Sequence, residues 1–68
     1  MSITFLIPVY NEVKTVRKAI EEAIEIEIPF KEIIIIDNGS TDGTSEIIKE
    51  YEDFDNIKII LQEKNLGF

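Results

Sequence analysis

Cysteine and histidine are both absent from these 68 residues. Their absence excludes disulfide cross-links, thiolate or imidazole metal ligands, and the histidine-paired nucleophiles of many hydrolases. Any metal would have to be held by carboxylates and other oxygen donors, a set that suits magnesium, manganese or calcium. Positive charge is scarce as well: seven Lys and Arg face fourteen Asp and Glu, for a formal net charge of −7. That balance argues against nucleic-acid phosphates and anionic membrane surfaces as partners. No apolar stretch approaches the roughly 20 residues of a membrane span. The N-terminus lacks the basic-then-apolar layout of a signal peptide, so a cytoplasmic location is expected. Glycine is also sparse, with three in all, and its placement excludes two phosphate-binding loops. A dinucleotide fingerprint needs Gly-x-Gly-x-x-Gly after the first strand, where this chain has Pro8-Val9-Tyr10-Asn11-Glu12. No Gly-Lys-Ser/Thr occurs, which removes the P-loop.

What is present is a clear alternation of periods. Ile3 to Val9 is mostly apolar and reads as a strand. From there Val13, Val16, Ala19, Ile20, Ala23 and Ile24 recur at three- and four-residue spacing, the mark of one helix face, with Asn11 as its N-cap and Pro29 beyond its end. Arg17 with Glu21, or Lys18 with Glu22, can pair across one turn on the solvated side. Glu32 to Ile36 is the second strand. Asp42 can cap a second helix that turns Ile47, Ile48 and Tyr51 inward, Asp53 to Asn56 form a turn, and Ile57 to Leu61 make a third strand. Strand, helix, strand, helix, strand predicts an α/β fold with a parallel three-stranded sheet in the order 3-2-1 and right-handed crossovers.

Those crossovers put both helices on one face of the sheet, yet Phe5 and Leu6, or Ile35 and Ile36, point to opposite faces. Two helices on one side leave an apolar face bare, and parallel sheets are normally covered on both. A chain this short buries only about 60% of its unfolded surface, so its stability is marginal without help. Association through the bare face or the unpaired edge of the first strand is therefore expected.

The chemistry concentrates where the run Ile33-Ile34-Ile35-Ile36 stops at Asp37-Asn38-Gly39-Ser40-Thr41-Asp42-Gly43-Thr44. In open α/β sheets ligands bind beyond the carboxyl ends of the strands. As a calcium loop starting at Asn38, Ser40, Asp42 and Gly43 would fit, but the twelfth position is Lys49 where a bidentate glutamate is needed. A phosphatase-type Asp-x-Asp-Gly-Thr match fails because Ser40 stands at the nucleophile position. A carboxylate metal site at Asp37 and Asp42 is a third reading. Gly39 relieves a tight loop, with Ser40 and Thr41 as turn residues. Read without any family, Tyr10 and Glu12 are a turn followed by an acid that suits a helix start.

Together, Ile7-Pro8-Val9-Tyr10-Asn11-Glu12 and Ile36-Asp37-Asn38-Gly39-Ser40-Thr41-Asp42-Gly43-Thr44 resemble the start of an inverting family 2 glycosyltransferase, and Asn65-Leu66-Gly67-Phe68 looks like that family's next loop. The resemblance implies the Rossmann-like N-terminal half of a GT-A nucleotide-diphospho-sugar transferase fold. Residues 1–68 would then be a single nucleotide-sugar-binding subdomain, truncated or the product of a curtailed gene. By position, Pro8 and Tyr10 would shape one wall of the base pocket and Glu12 would accept hydrogen bonds from the nucleoside. Asp37 stands at the family's most typical position. Asn38 replaces a second aspartate common there, and its amide can donate as well as accept.

The implied partner is a UDP-, GDP- or dTDP-linked sugar. Magnesium or manganese is expected for the full-length enzyme and no cofactor for this chain, because the family's metal-binding Asp-x-Asp and its acidic base normally lie beyond position 68. Sugar transfer by this chain alone is therefore not expected. The alternative is a non-catalytic, self-associating assembly module.

Overall fold

Side chains alternate across a strand, so burial along each strand identifies its core face. A computed structural model describes residues 2–62 of the chain; the Asn65–Phe68 segment lies outside them. The elements run β1 (Ile3–Val9), α1 (Val16–Glu25), β2 (Lys31–Asp37), α2 (Thr44–Lys49) and β3 (Ile57–Leu61). β2 lies in the middle, parallel to both neighbours. The expected bounds of β1 and β3 are met, and β2 is one residue longer at each end than Glu32–Ile36.

On one face Phe5, Ile7, Val9, Ile33, Ile35, Ile57 and Ile59 pack against Val16, Ile20 and Ala23 of α1 and Ile48 and Tyr51 of the second helical segment. Both helices thus share a face, as right-handed crossovers in a constant direction require. The other face carries Leu6, Pro8, Ile34, Ile36 and Ile60 toward the carboxyl ends of the strands, and Thr4, Glu32 and Lys58 toward the amino ends. Leu6 remains 63% exposed, so no described element covers this side. No described helix is long and apolar enough to cross a membrane.

Three local expectations are corrected. Helix α1 starts at Val16 and not just after Asn11, which sits at φ 51° and is not a cap. The amide of Asn11 is engaged across the molecule, and residues 12–15 form a turn in which the Val16 N–H donates to Glu12 O at 2.8 Å. Ala19 consequently faces solvent. Arg17 does not pair with Glu21 along the helix; its guanidinium donates to both carboxylate oxygens of Glu50, at 2.9 and 3.1 Å. Glu21 instead accepts from the Tyr51 hydroxyl at 2.7 Å. Burial and the hydrogen bond to Glu21 push the Tyr51 phenol above its usual range. The Arg17–Glu50 pair is half exposed and screened by solvent, so it aligns the helices more than it holds them.

The end of α1 is closed by a residue outside it. The Lys31 ammonium donates to the carbonyls of Ala23, Ile24 and Ile26 at 2.8, 2.6 and 2.6 Å. Orphan carbonyls and the negative end of the helix dipole both favour a cation there. Lys31→Met is expected to lower the unfolding free energy by about 1–2 kcal/mol in urea titration, with an unchanged m-value.

Candidate functional site

Register decides what meets at the carboxyl edge of the sheet. Val9 pairs with Asp37, and Asp37 with Leu61. The ladder continues one step further, with Asn38 N–H donating to Val9 O and Gln62 N–H to Asp37 O, both at 2.9 Å. Tyr10 and Asn38 therefore leave adjacent strands at the same end, and the β1–α1 and β2–α2 loops lie side by side.

The five residues expected to bind a nucleoside are placed differently within that edge. Tyr10 is 43% exposed. Glu12 is exposed, and one carboxylate oxygen accepts from the Tyr10 N–H at 3.4 Å. Asn38 is half-buried. Asp37 is 1% exposed and points to the helix-covered face. Its carboxyl group accepts the Ser40 N–H at 3.0 Å and the Ser45 hydroxyl, so it organises the loop from beneath. Pro8, paired with Ile36, lies on the opposite face from Asp37. Tyr10 and Asn38 thus follow paired residues at the ends of adjacent strands, Asp37 and Pro8 lie on opposite faces, and of the five it is Glu12 that lines an open cleft beside this edge.

Between the two loops runs a set of hydrogen bonds with no local counterpart in the sequence. The successive N–H groups of Asn11, Glu12 and Val13 donate to Ser40 Oγ (2.9 Å), Thr44 Oγ1 (2.9 Å) and Asp42 Oδ2 (3.3 Å). In return Asn11 Oδ1 accepts the Thr41 N–H at 2.7 Å. Asp42 also accepts from the Thr44 N–H at 3.1 Å and the Thr44 hydroxyl at 2.5 Å. The Thr44 hydrogen bond holds the Asp42 carboxyl below the usual carboxylate range. Asp42 is not the cap expected of it: the cap position of α2 is Gly43 at φ 102°, and Asp42, one residue before it, accepts from Thr44. Gly39, at φ 88°, likewise occupies a backbone region open to glycine at little cost. An open cleft of about 320 Å³ lies against this brace, lined by Asn11, Glu12, Val13, Lys14, Thr15 and Asp42.

A metal at Asp37 and Asp42 does not fit. Their oxygens already accept from Ser40, Ser45, Val13 and Thr44, and the described residues contain no group of three or more acidic, His or Cys side chains that could hold an ion.

A family model described as Glycosyl transferase family 2 matches residues 4–68. The chain belongs to that family. Over 65 residues it is 43% identical to a poly-beta-1,6-N-acetyl-D-glucosamine synthase of Staphylococcus epidermidis, a match covering 96% of this chain and 16% of that protein. It is 32% identical over 68 residues to glycosyltransferase AglE of Haloferax volcanii, covering 96% of this chain and 22% of that one. The crystal structure of S. aureus TarS 1–349 superimposes with a TM-score of 0.83 at 28% identity, over 98% of this chain and 20% of that chain. The chain thus spans about a fifth or less of the proteins it matches. Its architecture is the Rossmann-like N-terminal portion of the GT-A fold, in line with the sequence resemblance.

Within this family 2 segment, sequence reasoning missed Ser40, Thr44 and Ser45 as structural acceptors and donors, and assigned Asn11 to the wrong partner. The signal available was the two pairs of hydroxyl side chains at 40–41 and 44–45, each directly following a glycine, after a strand. Such side chains satisfy backbone groups wherever the chain leaves regular structure.

Proposed function

We propose that this chain is the nucleoside-binding portion of a transferase that moves a sugar from a nucleotide-diphosphate sugar to an acceptor hydroxyl. One observation carries the reading: parallel pairing of Val9 with Asp37 delivers Tyr10, Glu12 and Asn38 to one accessible edge, where open α/β sheets bind ligands. The Tyr10 ring offers a stacking face to a base, worth about 1–3 kcal/mol. Glu12 accepts from the ribose or base, and the Asn38 amide donates and accepts at the base edge. Asp37 fixes the second loop, and Pro8 stiffens the exit of β1 from the outer face. Family membership and the fold support this assignment.

Transfer also needs charge stabilisation on the leaving diphosphate and a base for the acceptor hydroxyl. The described residues contain no group of three or more acidic, His or Cys side chains that could hold an ion, and the role proposed for this chain is donor binding. Calorimetric titration with UDP, GDP and dTDP tests the proposal. Saturable binding of at least one is expected, with Tyr10→Ala raising its Kd about tenfold or more. Binding of none, or equal binding by Tyr10→Ala, contradicts it.

A second reading rests on the uncovered apolar face at Leu6, Ile34, Ile36 and Ile60: a non-catalytic module that associates with its own copies. Light scattering separates the two, since tight dimers without nucleotide binding favour the module.

A further inference from the structure

Resting on the nucleoside-site reading, we propose that Ser40, Asp42 and Thr44 are positioning residues that mould the main chain of Asn11–Val13 into the nucleoside wall and, by engaging its amides, exclude phosphate from that loop. Successive unpartnered N–H groups in a loop form an anion-binding nest. Here three in a row are taken by side chains of the other loop: Ser40 Oγ, Thr44 Oγ1 and Asp42 Oδ2. The arrangement is reciprocal, because Asn11 Oδ1 holds the Thr41 N–H and keeps Asn11 in its left-handed conformation. Thr44 is the centre of it. Its side chain is fully buried, and its hydroxyl accepts from Glu12 while donating to Asp42. A side chain out of solvent, with both hydrogen-bonding roles filled, acts on ligand only through the loop it holds. The cleft lies along that loop, with Asp42 as its one lining residue from the other side. The diphosphate of a donor must then be received by groups other than these amides.

The test compares Thr44→Val, which keeps the shape and deletes both hydrogen bonds, with Thr44→Ser, which keeps the hydroxyl. For the nucleotide that the wild-type chain binds, Thr44→Val is expected to raise the Kd about tenfold, the equivalent of one lost hydrogen bond. Thr44→Ser should stay within about twofold of wild type, a rescue that a general loss of packing would not show. Inorganic pyrophosphate should leave the backbone amide resonances of Asn11–Val13 unmoved, because those N–H groups are already engaged. Unchanged affinity in Thr44→Val, or pyrophosphate-induced shifts centred on Asn11–Val13, overturns the proposal.

Amide hydrogen exchange reads the clasp without any ligand. The Glu12 N–H should exchange about tenfold faster in Thr44→Val, and the Asn11 N–H likewise in Ser40→Ala, which serves if the valine variant does not fold. Unchanged exchange in the folded variant removes the clasp. A wild-type chain that binds no nucleotide, with exchange changed as expected, removes the nucleoside reading and the role built on it while leaving the clasp.

Discussion

Ile35→Ala should remove a large share of the chain's folding stability. Ile35 is fully buried in the central strand, in register between Ile7 and Ile59. Removing a buried isoleucine to alanine costs about 2–5 kcal/mol, the lost transfer energy plus the cavity left behind. A domain of this length has about 3–10 kcal/mol in total, at roughly 0.05–0.15 kcal/mol per residue. Thermal unfolding followed by circular dichroism should show Tm falling by at least about 10 °C. The neighbouring Ile36→Ala is the control. Ile36 points to the uncovered face and is only half-buried, so at concentrations where the chain is monomeric its truncation should cost about 1 kcal/mol. Equal losses for the two would mean that the outer face is packed as tightly as the inner one.

Asp37→Ala is the second large effect, and it should act on folding as much as on binding. The carboxyl group is 1% exposed and accepts from Ser40 N–H and Ser45 Oγ. Deleting it leaves two part-buried donors without their acceptor, at up to about 1–3 kcal/mol for each. An expected loss of about 2–4 kcal/mol should appear in urea titration, with nucleotide affinity lost alongside. Asp37→Asn should cost less than half as much, because the amide oxygen still accepts from Ser40 and the Ser45 hydroxyl can accept from the new NH₂. If Asp37→Ala abolished binding with stability unchanged, Asp37 would be a direct ligand contact and not the organiser of its loop.

Strands and their order were legible because the isoleucine runs and the change of period are local signals. The common side of the helices followed from crossover handedness, which holds whatever the side chains. The bare apolar face followed in turn from alternation, and Leu6 and Ile36 lie on it as expected, with Ile60 beside them. The end of β2 was legible to within one residue, since its isoleucine run stops at Asp37.

What failed was every feature that depends on distant partners. Asn11 has the composition of a helix cap, but Ser40 and Thr41, about thirty positions away, compete for its amide and side chain and win. Arg17 has a suitable glutamate one turn on, yet Glu50 offers a two-pronged acceptor across the helix pair. Lys31 lies past Pro29 and carries no sign in the sequence that it folds back onto α1. Asp37 was recognised by type and position, but only its burial shows that it supports the loop from below.

On the proposed function the β1–α1 and β2–α2 loops form a single nucleoside cleft. Titrating isotope-labelled chain with UDP, GDP and dTDP while following every backbone amide by nuclear magnetic resonance tests it most directly. Saturable shifts should concentrate on Tyr10–Glu12 and Asn38–Thr41 and leave Ile26–Phe30, at the other end of the sheet, unmoved. Shifts centred on Ile26–Phe30, or confined to one of the two loops, would contradict it.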